Sequence, residues 1–167
     1  MNSLLVTYIL QTEKWTSPEL FETKNRIYTF LNPVSYLIAL ENKSLFEQFD
    51  GIFADGSLLV SAIRLVYGKR VTRRSFDMTS LAPELLNYLM ESRKTLYIVA
   101  SGQEQVECSV RIFQEQYPKL RIAGFRNGYF SSDAEMNKEA SHIVELNPDF
   151  LIVGMGALMQ EIGRAHV

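Results

Sequence analysis

One carboxylate of this sequence stands where a general base would be useful. Asp55 follows Gly51–Ala54, whose apolar side chains predict a short buried strand, and it precedes Gly56 and an apolar helical segment. A carboxylate at the end of such a strand faces the crevice in which α/β proteins bind ligands. There it can accept the proton of a substrate hydroxyl. The same spacing fits a plainer role equally well, in which Asp55 caps the helix from Ser57 onward.

An amide follows another predicted strand. Asn32 comes directly after Arg26–Leu31 and before Pro33, and a residue before proline favours an extended backbone. Its side chain can hydrogen-bond a nucleobase or a sugar in that position. The alternative is that Asn32 only caps the helix that follows, and sequence alone favours this alternative.

Glycines follow two further predicted strands. Gly102 comes after Thr95–Ala100, while Gly154 and Gly156 come after Asp149–Val153. Glycine lets a backbone approach a phosphate or a ribose closely. The complete dinucleotide fingerprint also requires a glycine at position 159, where this chain has methionine. The dinucleotide fingerprint therefore fails, and a glycine turn of this kind is by itself a weak sign of a phosphate or ribose site.

A basic loop offers a partner for a diphosphate. Arg74 is the best candidate, because Ser75 and Phe76 bring the chain back toward the core, and a guanidinium can bind phosphate oxygens in pairs. A solvated surface is the alternative interpretation for the whole cluster, which also contains Lys69, Arg70 and Arg73.

Strand and helix patterns alternate along the chain. Continuous apolar runs separated by short turns and amphipathic helical segments are typical of a parallel sheet covered on both faces. We therefore predict an α/β fold, with a Rossmann-like parallel sheet flanked by helices. Its predicted strands are 4–10, 26–31, 51–54, 95–100, 120–124 and 149–153.

Composition narrows the classes of function. A chain of 167 residues with 22% charged residues and a net charge of -2 does not have the basic character of nucleic-acid-binding proteins. Cys108 is the single cysteine, so an intrachain disulfide and a zinc site built from several cysteines are both excluded. No secretory signal and no apolar run of about 20 residues is visible, and a cytoplasmic protein fits these features.

Several short motifs occur together, in an order that resembles the WecG/TagA/CpsF family of bacterial glycosyltransferases. No single motif is specific, but their combination at this spacing is. The motifs are Phe30-Leu31-Asn32-Pro33, Phe53-Ala54-Asp55-Gly56, the basic loop before Ser80-Leu81, the segment 117–124, Asn127-Gly128-Tyr129-Phe130, and Val153-Gly154-Met155-Gly156-Ala157 with Gln160-Glu161.

The resemblance implies a function. It implies an inverting transfer of an N-acetylmannosamine-type hexose from a UDP-sugar to a polyprenyl-diphosphate-linked sugar, in teichoic acid, common-antigen or capsule synthesis. No cofactor and no obligatory metal are implied, and no nucleic acid is expected as a partner. The expected location is cytoplasmic, peripheral at the inner face of the plasma membrane. Asp55 becomes the expected base, and the nucleotide site is expected to include Asn32, Gly102, Gly154, Gly156, Gln160 and Glu161.

The end of the chain suggests a truncation. We expect residues 1–161 to be one glycosyltransferase domain that is incomplete at its C-terminus, because members of the family continue well beyond Gln-Glu. The segment Glu161–Val167 can be encoded by GAG ATC GGA AGA GCA CAC GTC, which reads as the start of a common short-read sequencing adapter. Residues 162–167 are therefore predicted to be a non-biological tail. With the segment that covers the acceptor absent, this chain is expected to show little or no turnover.

Two other functions remain open at this point. The chain can act as a non-catalytic sugar-nucleotide-binding fragment, or, less in keeping with the incomplete glycine fingerprint, as a nucleotide-dependent oxidoreductase. The sequence leaves open the exact sugar, the acceptor, the linkage and the oligomeric state, a homo-oligomer included.

Overall fold

The structure, a computed structural model, describes residues 4–163 of the chain. The chain divides into two compact units, Met1–Leu85 and Leu86–Val167. The predicted single domain over residues 1–161 stays a prediction. Residues 164–167 of the predicted tail lie outside the described residues.

The first unit contains a two-stranded parallel sheet. Strands β1 and β2 pair along their whole length, from Tyr28 opposite Gly51 to Leu31 opposite Ala54. Each strand is followed by a helix, as the turn residues Asn32 and Gly56 predict. The elements in chain order are α1 (Leu4–Thr12), α2 (Ser17–Glu22), β1 (Tyr28–Leu31), α3 (Pro33–Glu41), α4 (Lys43–Phe46), β2 (Gly51–Ala54), α5 (Ser57–Tyr67) and α6 (Leu81–Ser92), which contains the division point.

The second unit contains a three-stranded parallel sheet in the order β4-β3-β5. The central strand β3 is buried from Leu96 to Val99, in agreement with its continuous apolar run. Its elements in chain order are β3 (Thr95–Ala100), α7 (Gln103–Gln116), β4 (Arg121–Arg126), α8 (Asp133–Leu146), β5 (Phe150–Gly154) and α9 (Met159–Gly163).

The predicted α/β class with parallel strands flanked by helices is confirmed, with two corrections. The strands form two sheets, one in each unit, where a single sheet was predicted. The predicted strand 4–10 is instead helix α1. Its buried residues Leu5, Val6, Ile9 and Thr12 lie on one side of a helix, a spacing that an alternating strand would not produce.

Helix α1 is fixed to the sheet by both packing and a hydrogen bond. Leu5, Val6 and Ile9 belong to the apolar core that also contains Ile52 and Ala54 of β2. The Thr12 hydroxyl donates to the carbonyl of Ile9 at 2.8 Å and to that of Ile52 at 3.1 Å. The opposite side of the sheet packs an aromatic cluster, which includes Phe53, Tyr28, Phe30 and Phe76.

Helix α8 covers the sheet of the second unit. Ile143 of this helix packs with Tyr97 and Val99 of β3, and the Tyr97 hydroxyl donates to the Glu139 Oε1 at 2.5 Å. Burial of the phenol and the neighbouring Glu139 carboxylate raise the pKa of Tyr97 far above its ordinary value. Among the described residues, no helix combines the length and the apolar character needed to cross a membrane.

Candidate functional site

The carboxyl ends of β1 and β2 bring Asn32 and Asp55 to one edge of the first unit. Leu31 and Ala54 are partners in the parallel register, and Asn32 and Asp55 are the residues that follow them. The Asp55 backbone N–H donates to the Leu31 carbonyl at 2.8 Å, so the pairing continues one step beyond the strands. This edge is where parallel sheets bind ligands.

The Asp55 carboxylate does not cap the helix that follows it. Helix α5 has Gly56 as its N-cap and receives no side-chain capping hydrogen bond, so the capping interpretation of Asp55 is wrong. The Asp55 side chain is 33% exposed, and its nearest charged neighbour is Arg73, whose Nη2 lies 3.8 Å from Oδ1. Asp55 is thus a solvent-accessible carboxylate beside a cation.

Asn32 is a helix cap, as one of the two sequence interpretations holds. Its Oδ1 accepts from the backbone N–H of Val34 at 2.9 Å and of Ser35 at 3.0 Å. The Ser35 hydroxyl in turn accepts from the Asn32 N–H at 2.8 Å, which completes a capping box at the start of α3. Within residues 4–163, no described hydrogen bond uses the Asn32 Nδ2, so the exposed amide keeps donors for a ligand.

The two neighbouring arginines of the basic loop have different surroundings. Arg74 is half-buried, with its backbone N–H bonded to the Ala54 carbonyl and its Nη1 donating to the Thr12 carbonyl at 3.3 Å. Its guanidinium lies 5.6 Å from the centre of the Phe53 ring. Arg73 is the arginine that pairs with Asp55. The chosen phosphate candidate Arg74 is therefore restrained next to the site, and Arg73 lies closest to the carboxylate.

Asp77 organises this loop, although it was not among the residues predicted from the sequence. Its carboxylate accepts from the Ser75 hydroxyl at 2.7 Å, the Thr79 hydroxyl at 2.6 Å and the Arg73 Nη2 at 2.8 Å. These bonds, those from the Thr79 and Ser75 hydroxyls first, hold the pKa of Asp77 well below its usual range. The pattern Ser-x-Asp-x-Thr was the available signal, since such side chains bond to nearby backbone and hydroxyl groups in turns.

The carboxyl ends of β3, β4 and β5 form the corresponding edge of the second unit. The Ser101 N–H donates to the Gly154 carbonyl at 3.1 Å, and the Gly128 N–H donates to the Ser101 carbonyl at 2.8 Å. The turns after the three strands are therefore hydrogen-bonded to one another. Ser101 has a φ of 51°, an unusual value for a residue with a side chain, and such strain is common at functional sites. Gly102 follows it as the N-cap of α7.

Two glycines of this edge are required by local geometry. Gly156 has a φ of 86°, in the region that favours glycine. At Gly128 a Cβ would lie 2.9 Å from the Met155 Cγ, so a side chain there would force Met155 to move. Gly154 has ordinary geometry, but its Cβ would be 3.3 Å from that of Ala100.

Arg126 holds the turn after β4 in shape, and it too was missed from the sequence. Its guanidinium donates to the carbonyls of Asn127 at 2.9 Å and Tyr129 at 3.0 Å, and lies 3.9 Å from the centre of the Phe130 ring. Two carboxylates neutralise it, those of Glu135 at 3.2 Å and Glu139 at 3.7 Å. The neighbouring ring of Tyr129 remains largely exposed. No sequence signal distinguished Arg126 from an ordinary polar residue at a strand end.

Glu135 connects this turn to helix α8. Its Oε2 accepts from the backbone N–H and from the hydroxyl of Ser131, each at 2.7 Å. The hydrogen bond from the Ser131 backbone, then that from its hydroxyl, and then that from Arg126 lower the pKa of Glu135 to about 2. The carboxylate form of Glu135 is thus the form that stabilises the turn.

Gln160 and Glu161 lie in the short helix α9. Glu161 is buried, and its Oε2 accepts from the Leu158 N–H at 2.7 Å while its Oε1 accepts from the Gln160 Nε2 at 3.0 Å. The carboxylate therefore caps its own helix. The predicted contact of these two residues with a nucleotide stays a prediction.

The structure thus brings together two groups of the predicted residues. Asn32, Asp55 and Arg74 are neighbours in the first unit, and Gly102 and Gly154 share an edge in the second. A single pocket that combines the two groups stays a prediction. Among residues 4–163, no group of three or more histidine, cysteine, aspartate or glutamate side chains could hold a metal ion.

Comparison with known proteins identifies the class of this chain. A family model described as "Glycosyl transferase WecG/TagA/CpsF family" matches residues 9–166. A curated relative from Shigella boydii, named UDP-Gal:alpha-D-GlcNAc-diphosphoundecaprenol beta-1,4-galactosyltransferase, is 31% identical over 135 residues, which are 81% of this chain and 56% of the relative.

A second relative has a different sugar in its name. It is the N-acetylglucosaminyldiphosphoundecaprenol N-acetyl-beta-D-mannosaminyltransferase of Bacillus subtilis (strain 168), 24% identical over 165 residues, which are 96% of this chain and 61% of the relative. The chain thus matches 56% and 61% of the lengths of these two curated relatives. Because the family model covers nearly all of the sequence, the chain belongs to the WecG/TagA/CpsF family of glycosyl transferases.

Proposed function

We propose that this chain forms the donor-binding and base-carrying part of an inverting hexosyltransferase. The donor is a UDP-sugar with an N-acetylmannosamine-type hexose, and the acceptor is a polyprenyl-diphosphate-linked sugar. Both relatives have names that contain a diphosphoundecaprenol-linked sugar, which supports the acceptor class. Galactose is the alternative sugar, because the Shigella boydii relative has UDP-Gal in its name.

In the proposed reaction Asp55 is the general base. Its carboxylate takes the proton of the acceptor hydroxyl, and the hydroxyl oxygen attacks the anomeric carbon of the donor sugar. The bond between that carbon and the diphosphate oxygen breaks, UDP leaves with the electron pair, and the configuration inverts. The single observation that supports this role is the position of Asp55 at the carboxyl end of β2, accessible and without a capping bond to α5.

The remaining residues are proposed to bind the donor. Arg74 is close to the carboxylate and carries further N–H donors for a diphosphate. The turns with Gly102, Gly154 and Gly156 present backbone that can approach the phosphates and the ribose, and the exposed Tyr129 ring beside them offers a surface for base stacking. Asn32 of the first unit and Gln160 and Glu161 of the second are each proposed to contact the nucleotide.

A non-catalytic binding fragment is the second candidate. The coverage of 56% of the Shigella boydii relative and 61% of the Bacillus subtilis relative favours it, because a part of an enzyme can retain donor binding without turnover. In the complete protein we propose a peripheral position at the cytoplasmic face of the plasma membrane, where a polyprenyl-linked acceptor is accessible.

Calorimetric titration of the 167-residue chain with UDP, and with NAD as the control, tests the donor class. Binding of UDP but not of NAD supports a transferase, whereas the reverse favours an oxidoreductase. Turnover is then measured on protein made from the intact reading frame, with UDP-N-acetylmannosamine and UDP-galactose in parallel. Turnover by the complete protein but not by this chain would identify the chain as a binding fragment.

A further inference from the structure

The turn after β4 is built around the guanidinium of Arg126. Residues 127–131 lie outside the helices and strands, so no regular backbone ladder sets their shape. The Arg126 Nε donates to the Asn127 carbonyl, and its Nη2 donates to the Tyr129 carbonyl. The ring of Phe130 covers the guanidinium, with 3.9 Å between the guanidinium carbon and the ring centre. The backbone of the turn therefore follows the outline of one buried cation.

The guanidinium has contacts within the second unit at all three of its nitrogens. Besides the two carbonyls, Nη2 lies 3.2 Å from the Glu135 Oε1, and Nη1 lies 3.7 Å from the Glu139 Oε2. The Arg126 side chain is only 16% exposed. An arginine at the carboxyl edge of a parallel sheet is ordinarily a candidate for a diphosphate. Because the donors of Arg126 are already used inside the protein, its contribution to a ligand is indirect.

Both backbone polar groups of Tyr129 are hydrogen-bonded. Its N–H donates to the Asn127 Oδ1 at 2.9 Å, and its carbonyl accepts from the Arg126 Nη2 at 3.0 Å. The Asn127 amide is held in turn, because its Nδ2 donates to the Gln103 Oε1 at 3.0 Å. Tyr129 is nevertheless 75% exposed. The turn thus presents an accessible aromatic ring on a fixed backbone.

A fixed backbone under an exposed ring favours a ligand role. The Tyr129 ring buries little apolar surface, so its placement adds little to the stability of the fold. A tyrosine held in this way loses little conformational freedom when a flat ligand stacks on it, and such pre-organisation increases affinity. The turn also adjoins the glycine turns of the same edge, since the Gly128 N–H donates to the Ser101 carbonyl at 2.8 Å.

We propose that Arg126 is a positioning residue, which sets the Tyr129 ring for stacking on the pyrimidine base of the donor. The inference rests on the proposed function, because the base belongs to the nucleotide proposed there. It adds a residue that touches no substrate and acts through the backbone of Tyr129. Stacking requires a planar base over a correctly oriented ring. Loss of Arg126 should therefore reduce the preference for a planar base, whereas a general loss of structure would weaken every nucleotide alike.

Arg126→Lys is the most informative substitution. Lysine keeps a positive charge between the two carboxylates, but its ammonium lacks the planar fork that reaches two carbonyls and stacks on a ring. Tyr129→Ala removes the ring itself. Arg121→Lys is the matched control, because Arg121 is an exposed arginine at the other end of β4 and donates to the Arg93 carbonyl.

Amide hydrogen exchange of the ligand-free 167-residue chain tests whether Arg126 fixes the turn. We expect Arg126→Lys to speed exchange in residues 127–131 by about tenfold or more, while β3 exchanges as in the unmodified chain. Arg121→Lys should leave exchange in residues 127–131 unchanged. Unchanged exchange in Arg126→Lys would overturn the proposal, because the turn would then keep its shape without the guanidinium.

Calorimetric titration with two nucleotides tests whether the ring stacks on the base. UDP has a planar uracil, whereas 5,6-dihydro-UDP has the same hydrogen-bonding groups on a puckered, saturated ring. The unmodified chain and Arg121→Lys should bind UDP about tenfold more tightly than the dihydro analogue. Tyr129→Ala should bind the two nucleotides equally, and Arg126→Lys should lose most of the preference for UDP. A preference for UDP that survives Arg126→Lys would overturn the proposal.

The double variant Arg126→Lys/Tyr129→Ala completes a thermodynamic cycle. If Arg126 acts through the ring, Arg126→Lys lowers the UDP affinity of the unmodified chain but leaves that of Tyr129→Ala nearly unchanged. Equal losses in the two backgrounds would contradict the positioning role and assign Arg126 a purely structural one.

These measurements separate the inference from the proposed function. A chain that binds UDP with the same preference in Arg126→Lys retains the proposed function and refutes the role of Arg126. A chain that does not bind UDP contradicts the proposed function. Faster exchange of residues 127–131 in Arg126→Lys would in that case still support Arg126 as the residue that fixes the backbone of Tyr129.

Discussion

The carboxyl edges of the two parallel sheets are built from different chemical groups. In the first unit the edge presents side chains with charges and amides, namely Asp55, Arg73 and Asn32. In the second unit it presents glycines and hydrogen-bonded backbone, with Gly128 donating to Ser101 and Ser101 donating to Gly154. The first edge can move a proton and attract charge, whereas the glycine turns of the second can adapt their shape to a ligand and donate N–H groups.

This difference predicts how each edge responds to substitution. A changed side chain at the first edge should alter the chemical step or the affinity for charge while the fold persists. A changed glycine at the second edge should alter the backbone itself, and binding should suffer together with stability. The four substitutions below separate the two cases.

Asp55→Asn should have the largest effect. Asparagine is nearly isosteric but cannot accept the proton, so turnover by protein from the intact reading frame should fall by about 10²–10⁴-fold. The affinity for UDP should change little, because the base acts on the acceptor. Steady-state kinetics and a UDP titration measure the two quantities, and Asp133→Asn on the exposed start of α8 is the control. Turnover within a few-fold of the unmodified enzyme would show that the base lies elsewhere.

Arg74→Ala should mainly weaken donor binding. Loss of hydrogen bonds from a charged group costs about 1.5–3 kcal/mol, which corresponds to a UDP affinity lower by about 10-fold to 100-fold. Arg70→Ala, an exposed arginine of the same loop, should bind UDP normally. Equal UDP affinities of the two variants would contradict the role of Arg74 in donor binding. They would support the alternative interpretation, in which the basic loop is a solvated surface.

Gly156→Ala should act through the backbone. At a φ of 86° an alanine is strained even though no atom lies near its Cβ, and the free energy of unfolding should fall by about 1–2 kcal/mol. Urea denaturation measures this change. Gly102→Ala is the control, because φ there is ordinary and the close neighbour of a Cβ would be the flexible end of Gln105. An unchanged midpoint for Gly156→Ala would show that this turn adapts freely.

Glu135→Gln should have the smallest effect, visible as a change in the pH dependence of melting. The folded-state pKa of about 2 lies below the ordinary value of 4.5, so the carboxylate stabilises the fold above pH 4.5 and this contribution is lost as the pH falls toward 2. The variant should melt lower than the unmodified chain at neutral pH, and the two should converge in acid. Parallel curves across this range would contradict the proposed link between Glu135 and the turn.

The fold was predictable wherever the apolar period was unambiguous. The runs at β2, β3 and β5 were located from their lengths and turn residues, and the helix start at Asn32 followed from its interpretation as a cap. Residues 4–10 are apolar without a clear period, so the β-branched and aromatic members suggested a strand. The helix forms because one of its sides packs on β2, a tertiary contact that the local sequence does not contain.

The positions of the site residues in the fold were predictable from the sequence, whereas their hydrogen bonds and ion pairs were less so. Parallel strands require that residues after them share an edge, which brings Asn32 beside Asp55 and Gly102 beside Gly154, whereas the predicted gathering of all four at one edge of one sheet stays a prediction. The pairing of Arg73 with Asp55, and of Arg126 with Glu135 and Glu139, did not, because it depends on which carboxylates of other elements come within reach. Asp77 lay between the two cases, since its bonds to Ser75 and Thr79 are local and had a recognisable pattern.

The anchoring of α1 has a consequence for any shortened version of this protein. The family match begins at residue 9, yet Leu5 and Val6 are almost completely buried against the sheet that carries Asp55. A chain trimmed to the matched range would lose both side chains and leave their places in the core open, at a cost of about 1.5–3 kcal/mol for each. It would also shorten helix α1, whose Thr12 carbonyl accepts a hydrogen bond from the Arg74 Nη1. Residue 9, where the family match begins, is therefore not a position at which the first unit can be truncated without loss of stability.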